Sequence, residues 1–501
     1  MSVAVLTHPL RVRPLGSRLL DDALDLRDAI GTLRILPDDL LLRILGMASA
    51  ATLSVCARVS RGVRVLAYTE DLWKTKLLEE LPSAAALSWD THGWRHSYLR
   101  HKGVTMTMTD VSAIGSSSGG YYYSDVLYAP WQCGTAAIPA SWSRHQNIPR
   151  VSAASLSVED FSRRFEAASQ PVILTDVMES WPARSGWSFA QLRDRFGNRA
   201  QFHVGGHAMG LADFFDYCES TRDEQPLYLF DKRFGETSAS ADASTGAAPG
   251  MTASTPLPVG EANRSGAAAV GLAAEYHVPK YFEPSRDLFS TLPEGYRPDH
   301  RWLIIGTTRS GSSWHVDPNA TSAWNACVVG RKKWILTPPN APPPGVTASD
   351  DGANVTSPIS LYEWFRVFYS SLAQARREAP PGGAATSHEA IVGAGEIIFV
   401  PAGWWHCALN LEPSIAITQN YAPRVSAAAI LRYLRSGDMA GDFVSGVAPD
   451  KRPQMADKFA EVLQEHCPEA LKEAAAPTSP TAAKAPEPAA PEPPANFCFS
   501  F

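Results

Sequence analysis

Hydrophobic positions follow two regimes along the chain. Helical spacing rules the N-terminal region, and short apolar runs broken by Gly and Pro rule from Arg301 to Tyr421. In the first regime Leu40, Leu41, Ile44, Leu45 and Ala48 share one helix face. Leu36-Pro37-Asp38-Asp39 precedes them, and a Pro with two acids suits a first helical turn. Leu53, Cys56, Val59, Val63 and Leu66 predict a second helix, and Asp71-Leu72-Trp73 closes a helical unit over residues 31–80.

In the second regime strands are predicted at Trp302–Ile305, 321–329, Lys332–Leu336, Ile397–Val400, His406–Leu411 and Ile415–Tyr421. Gly330-Arg331 and Glu412-Pro413-Ser414 read as hairpin turns. The first would put Asn325 on the arm facing Lys332, and the second would set His406 across a ladder from Thr418–Asn420. Many short strands joined by Gly/Pro turns argue for a closed or double-sheet β fold. A helix is expected around Leu361–Arg377, and helices again from Pro423 to about residue 473. Upstream, Ser157 caps a helix start with Asp160 three residues on, Pro171–Leu174 reads as a buried strand, and Pro226–Asp231 as another. The fold class is therefore multidomain α+β.

Composition adds the boundaries. Between 237 and 273 the chain collapses to Ala, Ser, Thr, Gly and Pro, which cannot bury enough apolar surface to offset ordering entropy, so a disordered insertion is expected there. The expected divisions are an N-terminal extension (1–30), the helical unit (31–80), a connector (81–154), the β domain (155–425), C-terminal helices (426–473) and a disordered Ala/Pro-rich tail (474–501). The aromatic terminus, Phe497 to Phe501, is odd for such a tail.

A formal net charge of −6 leaves no basic footprint for nucleic acid or an anionic membrane. No apolar run has membrane-span length, and the seven cysteines form no C-x-x-C pair, which fits a reducing compartment, nucleus or cytoplasm.

Candidate chemistry centres on Trp314-His315-Val316-Asp317. On an extended segment His315 and Asp317 point to one face, and His406 on a distant strand would complete a 2-His-1-carboxylate set, the arrangement that holds non-haem Fe(II) with positions left open. A 2-oxoglutarate co-substrate needs a cation for its distal carboxylate. Lys332, entering a barrel strand, wants such an anion, whereas Arg331 and Lys333 should be solvated. Thr418 is placed to reach a ligand beside the metal.

The runs R-S-G-x-S-W-H-V-D-P, G-R-K-K-W and G-E-I-I-F-V-P-x-G-W-W-H-C-x-L-N-L-E-P-x-x-A-I-T-Q-N resemble a Jumonji-C (JmjC) domain over about 155–425. They are most similar to the branch holding the arginine demethylase/lysyl-5-hydroxylase and the F-box–JmjC proteins of plants and algae. The resemblance implies a double-stranded β-helix (jelly-roll, cupin-like) barrel that uses Fe(II), 2-oxoglutarate and O2 to hydroxylate or demethylate a protein Lys or Arg side chain. It implies His315, Asp317 and His406 as iron ligands and Asn325, Lys332 and Thr418 as 2-oxoglutarate contacts. Ser312 stands where the family often has Thr, Tyr228 matches a tyrosine lining the site, and Asn420 is a further candidate. The helical unit, with L-P-x-x-L-L-x-x-I-L, Val59-Ser60-Arg61 and a late Trp, resembles an F-box, which implies docking on a Skp-family adaptor of a cullin-based ubiquitin ligase; an ordinary packed helical hairpin is the other reading. The rival to an enzyme is a substrate receptor whose barrel only binds a client.

Overall fold

The computed structural model describes residues 7–20, 22–82, 85–104, 120–234, 271–348, 355–356, 360–378, 387–436 and 444–476. They form two compact units, one of residues up to Pro139 with Phe189–Tyr228, the other of Ala140–Ser188 with the chain from Leu229 onward. All but the first few residues of the expected tail, with Phe497–Phe501, and nearly all of the expected insertion lie outside the described residues. The insertion's far edge is an exception: Leu272 is fully buried at the start of a 3-10 turn, Leu272–Glu275.

In the first unit, α1 (Asp38–Gly46) starts directly after Pro37. The expected second helix is two, α2 (Ala50–Cys56) and α3 (Arg61–Ala67). Ser60 makes the break: its backbone is extended and its hydroxyl accepts from Val63 N, so it caps a new helix instead of continuing the old one. Trp73, on α4 (Glu70–Glu80), is fully buried and donates from its indole to Ala67 O at 2.9 Å. The apolar face of α1 is only partly a core face, since Leu42 and Leu45 pack with Leu41 against a buried cluster. Leu41 is buried, whereas Leu40 and Ile44 are exposed, as are Met47, Val55 and Val59 after it.

The second unit is a two-sheet β fold of the jelly-roll type. Its strands are β1 (Arg150–Ser152), β2 (Val172–Thr175), β3 (Leu229–Asp231), β4 (Arg301–Gly306), β5 (Gly311–His315), β6 (Ser322–Val329), β7 (Arg331–Thr337), β8 (His388–Gly393), β9 (Ile397–Val400), β10 (Trp405–Asn410) and β11 (Ser414–Tyr421). The larger sheet runs β1-β2-β9-β6-β11-β4-β3, and the smaller runs β8-β7-β10-β5. The expected hairpins are therefore wrong. β6 and β7, joined at Gly330, lie in different sheets, and so do β10 and β11, joined at Glu412–Pro413. His406 pairs with His315 and Leu336, while Thr418 pairs with Asn325 and Trp302. The tight turns are crossings between sheets. At one of them Gly330 has φ +84°, and a Cβ there would stand 2.4 Å from Pro413 O, so two crossings pack against each other where only glycine fits.

Alternation sorts the side chains. Ile173, Ala323, Cys327, Ile398 and Val400 of the larger sheet meet Trp334, Leu336, Ala390, Val392 and Ala408 of the smaller in one buried cluster between the sheets. On the opposite face of β7, Lys333 is not solvated as expected. It is fully buried, 2.8 Å from the buried carboxylate of Glu389, and donates to His145 O. Tyr369 and Arg376, on the helix Tyr369–Glu378, also bind Glu389 and cover it. Burial pulls the Lys333 pKa below its usual value, against the opposing pull of Glu389. Sequence alternation placed Lys333 outside the barrel correctly but could not show that helices lie there.

Removing one member of such a pair strands a charge. Glu389→Gln is expected to cost about 3–5 kcal/mol in urea unfolding, and the apolar double replacement Lys333→Met with Glu389→Leu to recover most of it.

Candidate metal and co-substrate site

The strand pair β5–β10 builds the metal-binding corner. His406 lies directly opposite His315, and their rings approach to 4.1 Å between centroids. Asp317, two residues past His315, keeps extended backbone (φ −60°, ψ 140°), so its carboxylate returns to the same side. His406 Nε2 is 3.9 Å from Asp317 Oδ2. Among the described residues, His315, Asp317 and His406 are the group of three metal-ligating side chains whose donor atoms all fall within 4.8 Å of one another.

Backbone carbonyls set the ring tautomers. His315 Nδ1 is 2.7 Å from Ser313 O and His406 Nδ1 is 2.9 Å from Trp404 O. A carbonyl only accepts, so each Nδ1 carries hydrogen and each Nε2 turns a lone pair inward. Burial, then the neighbouring His406, holds the His315 pKa down at about 4 despite the pull of Asp317, keeping the ring neutral. Asp317 Oδ2 is buried with no hydrogen-bond partner, a costly condition that a cation removes. Two imidazoles and a carboxylate on one side of a centre fit Fe(II), with the remaining positions open.

A bulge completes this corner. Ala408 pairs with Ser312 while His406 pairs with His315, so three steps on β5 oppose two on β10. Without the extra residue Ser312 and His315 would face opposite ways; with it both stand on the inner face. Gly311 lets β5 approach this closely, because a Cβ there would lie 1.9 Å from Ala408 O.

Of the other expected contacts, Lys332, Asn325, Thr418 and Asn420 share that interior. Lys332 is buried on β7, four residues from Leu336, the residue opposite His406, and so about 13 Å along the strand on the same face. From the larger sheet come Asn325 and Thr418, paired with each other on β6 and β11, and Asn420, paired with Ala323. Asn325 is buried and its Oδ1 has no hydrogen-bond partner. Thr418 Oγ1 donates to Trp324 O at 3.1 Å, and Asn420 Nδ2 to Thr321 Oγ1 at 2.9 Å. Tyr228 ends the first unit, half-buried, its carbonyl accepting from Gly205 N.

Residues 158–427 match the family described as a cupin-like domain, and residues 33–79 the one described as F-box-like. An arginine-specific demethylase of Arabidopsis thaliana is 37% identical over 477 residues, covering 94% of this chain and 84% of that protein. The chain belongs to the cupin-like JmjC family. Further JmjC relatives cover less. A bifunctional arginine demethylase and lysyl-hydroxylase of Caenorhabditis briggsae is 34% identical over 55% of this chain and 61% of that protein. A 2-oxoglutarate and iron-dependent oxygenase of Danio rerio is 34% identical over 25% of this chain and 26% of that protein.

Two residues of the JmjC interior escaped the sequence reading. Asn410, fully buried, accepts a hydrogen bond from Lys332 Nζ at 2.7 Å. Trp334 stacks beside His406, with centroids 6.0 Å apart and planes 22° apart. Their positions on β7 and β10, at even steps from Lys332 and His406, were the available signal.

Asp317→Ala and His406→Ala are each expected to weaken Mn(II) binding, read by calorimetry, more than about a hundredfold, beyond what loss of an outer-shell partner does. Circular dichroism should stay unchanged.

Proposed function

We propose that the chain is an Fe(II)- and 2-oxoglutarate-dependent dioxygenase acting on a lysine or arginine side chain of a protein. The observation that carries the reading is the set of three inward-turned ligand atoms within 4.8 Å, on the same interior as a buried lysine. Bound iron with 2-oxoglutarate and O2 supplies oxidation of a substrate C–H bond to an alcohol, which on an N-methyl carbon collapses to formaldehyde and the free amine. The chain's part is to position. His315, Asp317 and His406 hold the metal, and the carbonyls of Ser313 and Trp404 hold the two rings. Lys332 binds the distal carboxylate, with Thr418 and Asn325 as polar partners and Ser312 beside the metal ligands. Tyr228 matches, by the family pattern, a tyrosine that lines the site. The relatives' names, arginine demethylase and lysyl-hydroxylase, support the substrate class.

A second, compatible role is adaptor docking. The F-box-like unit leaves Leu40, Ile44, Met47, Val55 and Val59 exposed, Met47 at 89% and Val59 at 73%, on a helical region that would otherwise bury them. We assign this surface to a Skp-family adaptor. A purely client-binding barrel would have no need of an intact ligand set.

Purified protein with Fe(II), ascorbate, labelled 2-oxoglutarate and Lys- or Arg-containing peptides is expected to release succinate, and His315→Ala to release none. Silence of the wild type across such peptides would sink the enzyme reading. Ile44→Asp with Val59→Asp is expected to abolish capture of a Skp-family adaptor in pull-down and to leave succinate release unchanged.

A further inference from the structure

Lys332 does not stand alone in the barrel. Its ammonium donates to Asn410 Oδ1 at 2.7 Å, and the same amide's Nδ2 donates to Ser310 Oγ at 2.9 Å and toward Thr307 O at 3.4 Å. Ser310 Oγ donates in turn to Thr307 O at 2.6 Å. The direction of this chain is forced. Thr307 O can only accept, so the Ser310 hydroxyl spends its hydrogen there and offers a lone pair to the Asn410 amide nitrogen. The amide oxygen must then face Lys332.

The backbone repeats the link, with Arg309 N donating to Asn410 O at 2.9 Å and Asn410 N to Ser310 O at 2.8 Å. The residues Thr307–Ser310 lead straight into β5, which carries His315. Asn410 itself sits on β10, four residues after His406 and on the same face. One amide thus joins the lysine to both strands that bear the histidines.

We propose that Asn410 is a positioning residue that aims Lys332 at the distal carboxylate of 2-oxoglutarate and fixes its distance from the metal ligands; this rests on the co-substrate reading given above. A neutral amide suits this task. It orients the ammonium through a hydrogen bond and brings no negative charge of its own to compete with an incoming anion. A carboxylate at 410 would pair with Lys332 and compete with the co-substrate.

The test is calorimetric binding to the Mn(II)-loaded full chain, comparing 2-oxoglutarate with 2-oxovalerate, which keeps the 2-oxo acid end and lacks the distal carboxylate. Asn410→Asp is expected to weaken 2-oxoglutarate at least about tenfold and to leave 2-oxovalerate and Mn(II) affinities within about twofold. Ser310→Ala, which frees the amide to rotate, should shift 2-oxoglutarate binding the same way by a few-fold and serves if Asn410→Asp does not fold. A substitution that merely disturbs packing would weaken both ligands alike. Equal losses for both ligands, or unchanged 2-oxoglutarate binding in folded variants, overturn the proposal while the co-substrate reading stands. Wild-type protein that binds the two ligands equally overturns the assignment of Lys332 itself, and this proposal with it.

Discussion

The structure depends on what it takes to keep polar groups inside a β fold. Between two sheets there is little water, so each inward-facing polar atom needs a partner, supplied either by the chain or by a ligand. The chain supplies backbone carbonyls to the two Nδ1 atoms and an amide to Lys332. It leaves Asp317 Oδ2, Asn325 Oδ1 and the Trp334 indole nitrogen without one, and the first two belong to the candidate site. The apolar cluster around Trp334, Leu336 and Val392 keeps water out of the same space and so strengthens the electrostatics within it.

Much of this was legible because strands obey a period of two. His315 with Asp317, and Lys332 with Leu336, could be assigned to common faces from spacing alone, and the short apolar runs gave the strands nearly where they occur. Pairing was not legible. A tight turn looks the same whether it closes a hairpin or carries the chain to another sheet, so Gly330 and Glu412–Pro413 were misread and Thr418 was given His406 as neighbour instead of Asn325. The interior composition came out right despite this, because a crossing between facing sheets also turns inward side chains toward one another.

What else spacing alone could not show has local causes. Ser312 reaches the inner face only through a bulge, which no pattern of residues i and i+3 announces. Lys333 looked solvated because its cover, the helix Tyr369–Glu378, is distant in sequence. In the N-terminal unit the Leu40–Ile44 stripe left both a packed hairpin and a docking face open, because amphipathicity does not distinguish a face packed within the chain from one left for a partner.

The sheet crossings also bear on how such a protein comes to hold its metal. Asp317 and His406 are about 90 residues apart, and β5 and β10, both in the smaller sheet, must pair before the corner exists. At ribosomal speeds of about 5–20 residues per second, the first two ligands leave synthesis on the order of ten seconds ahead of the third. Non-local strand pairing then adds its own delay. A chain in which β5 and β10 have not yet paired has no chelating corner to offer, so metal acquisition reports on that pairing, and metal content becomes a readout of folding quality in a preparation of this protein.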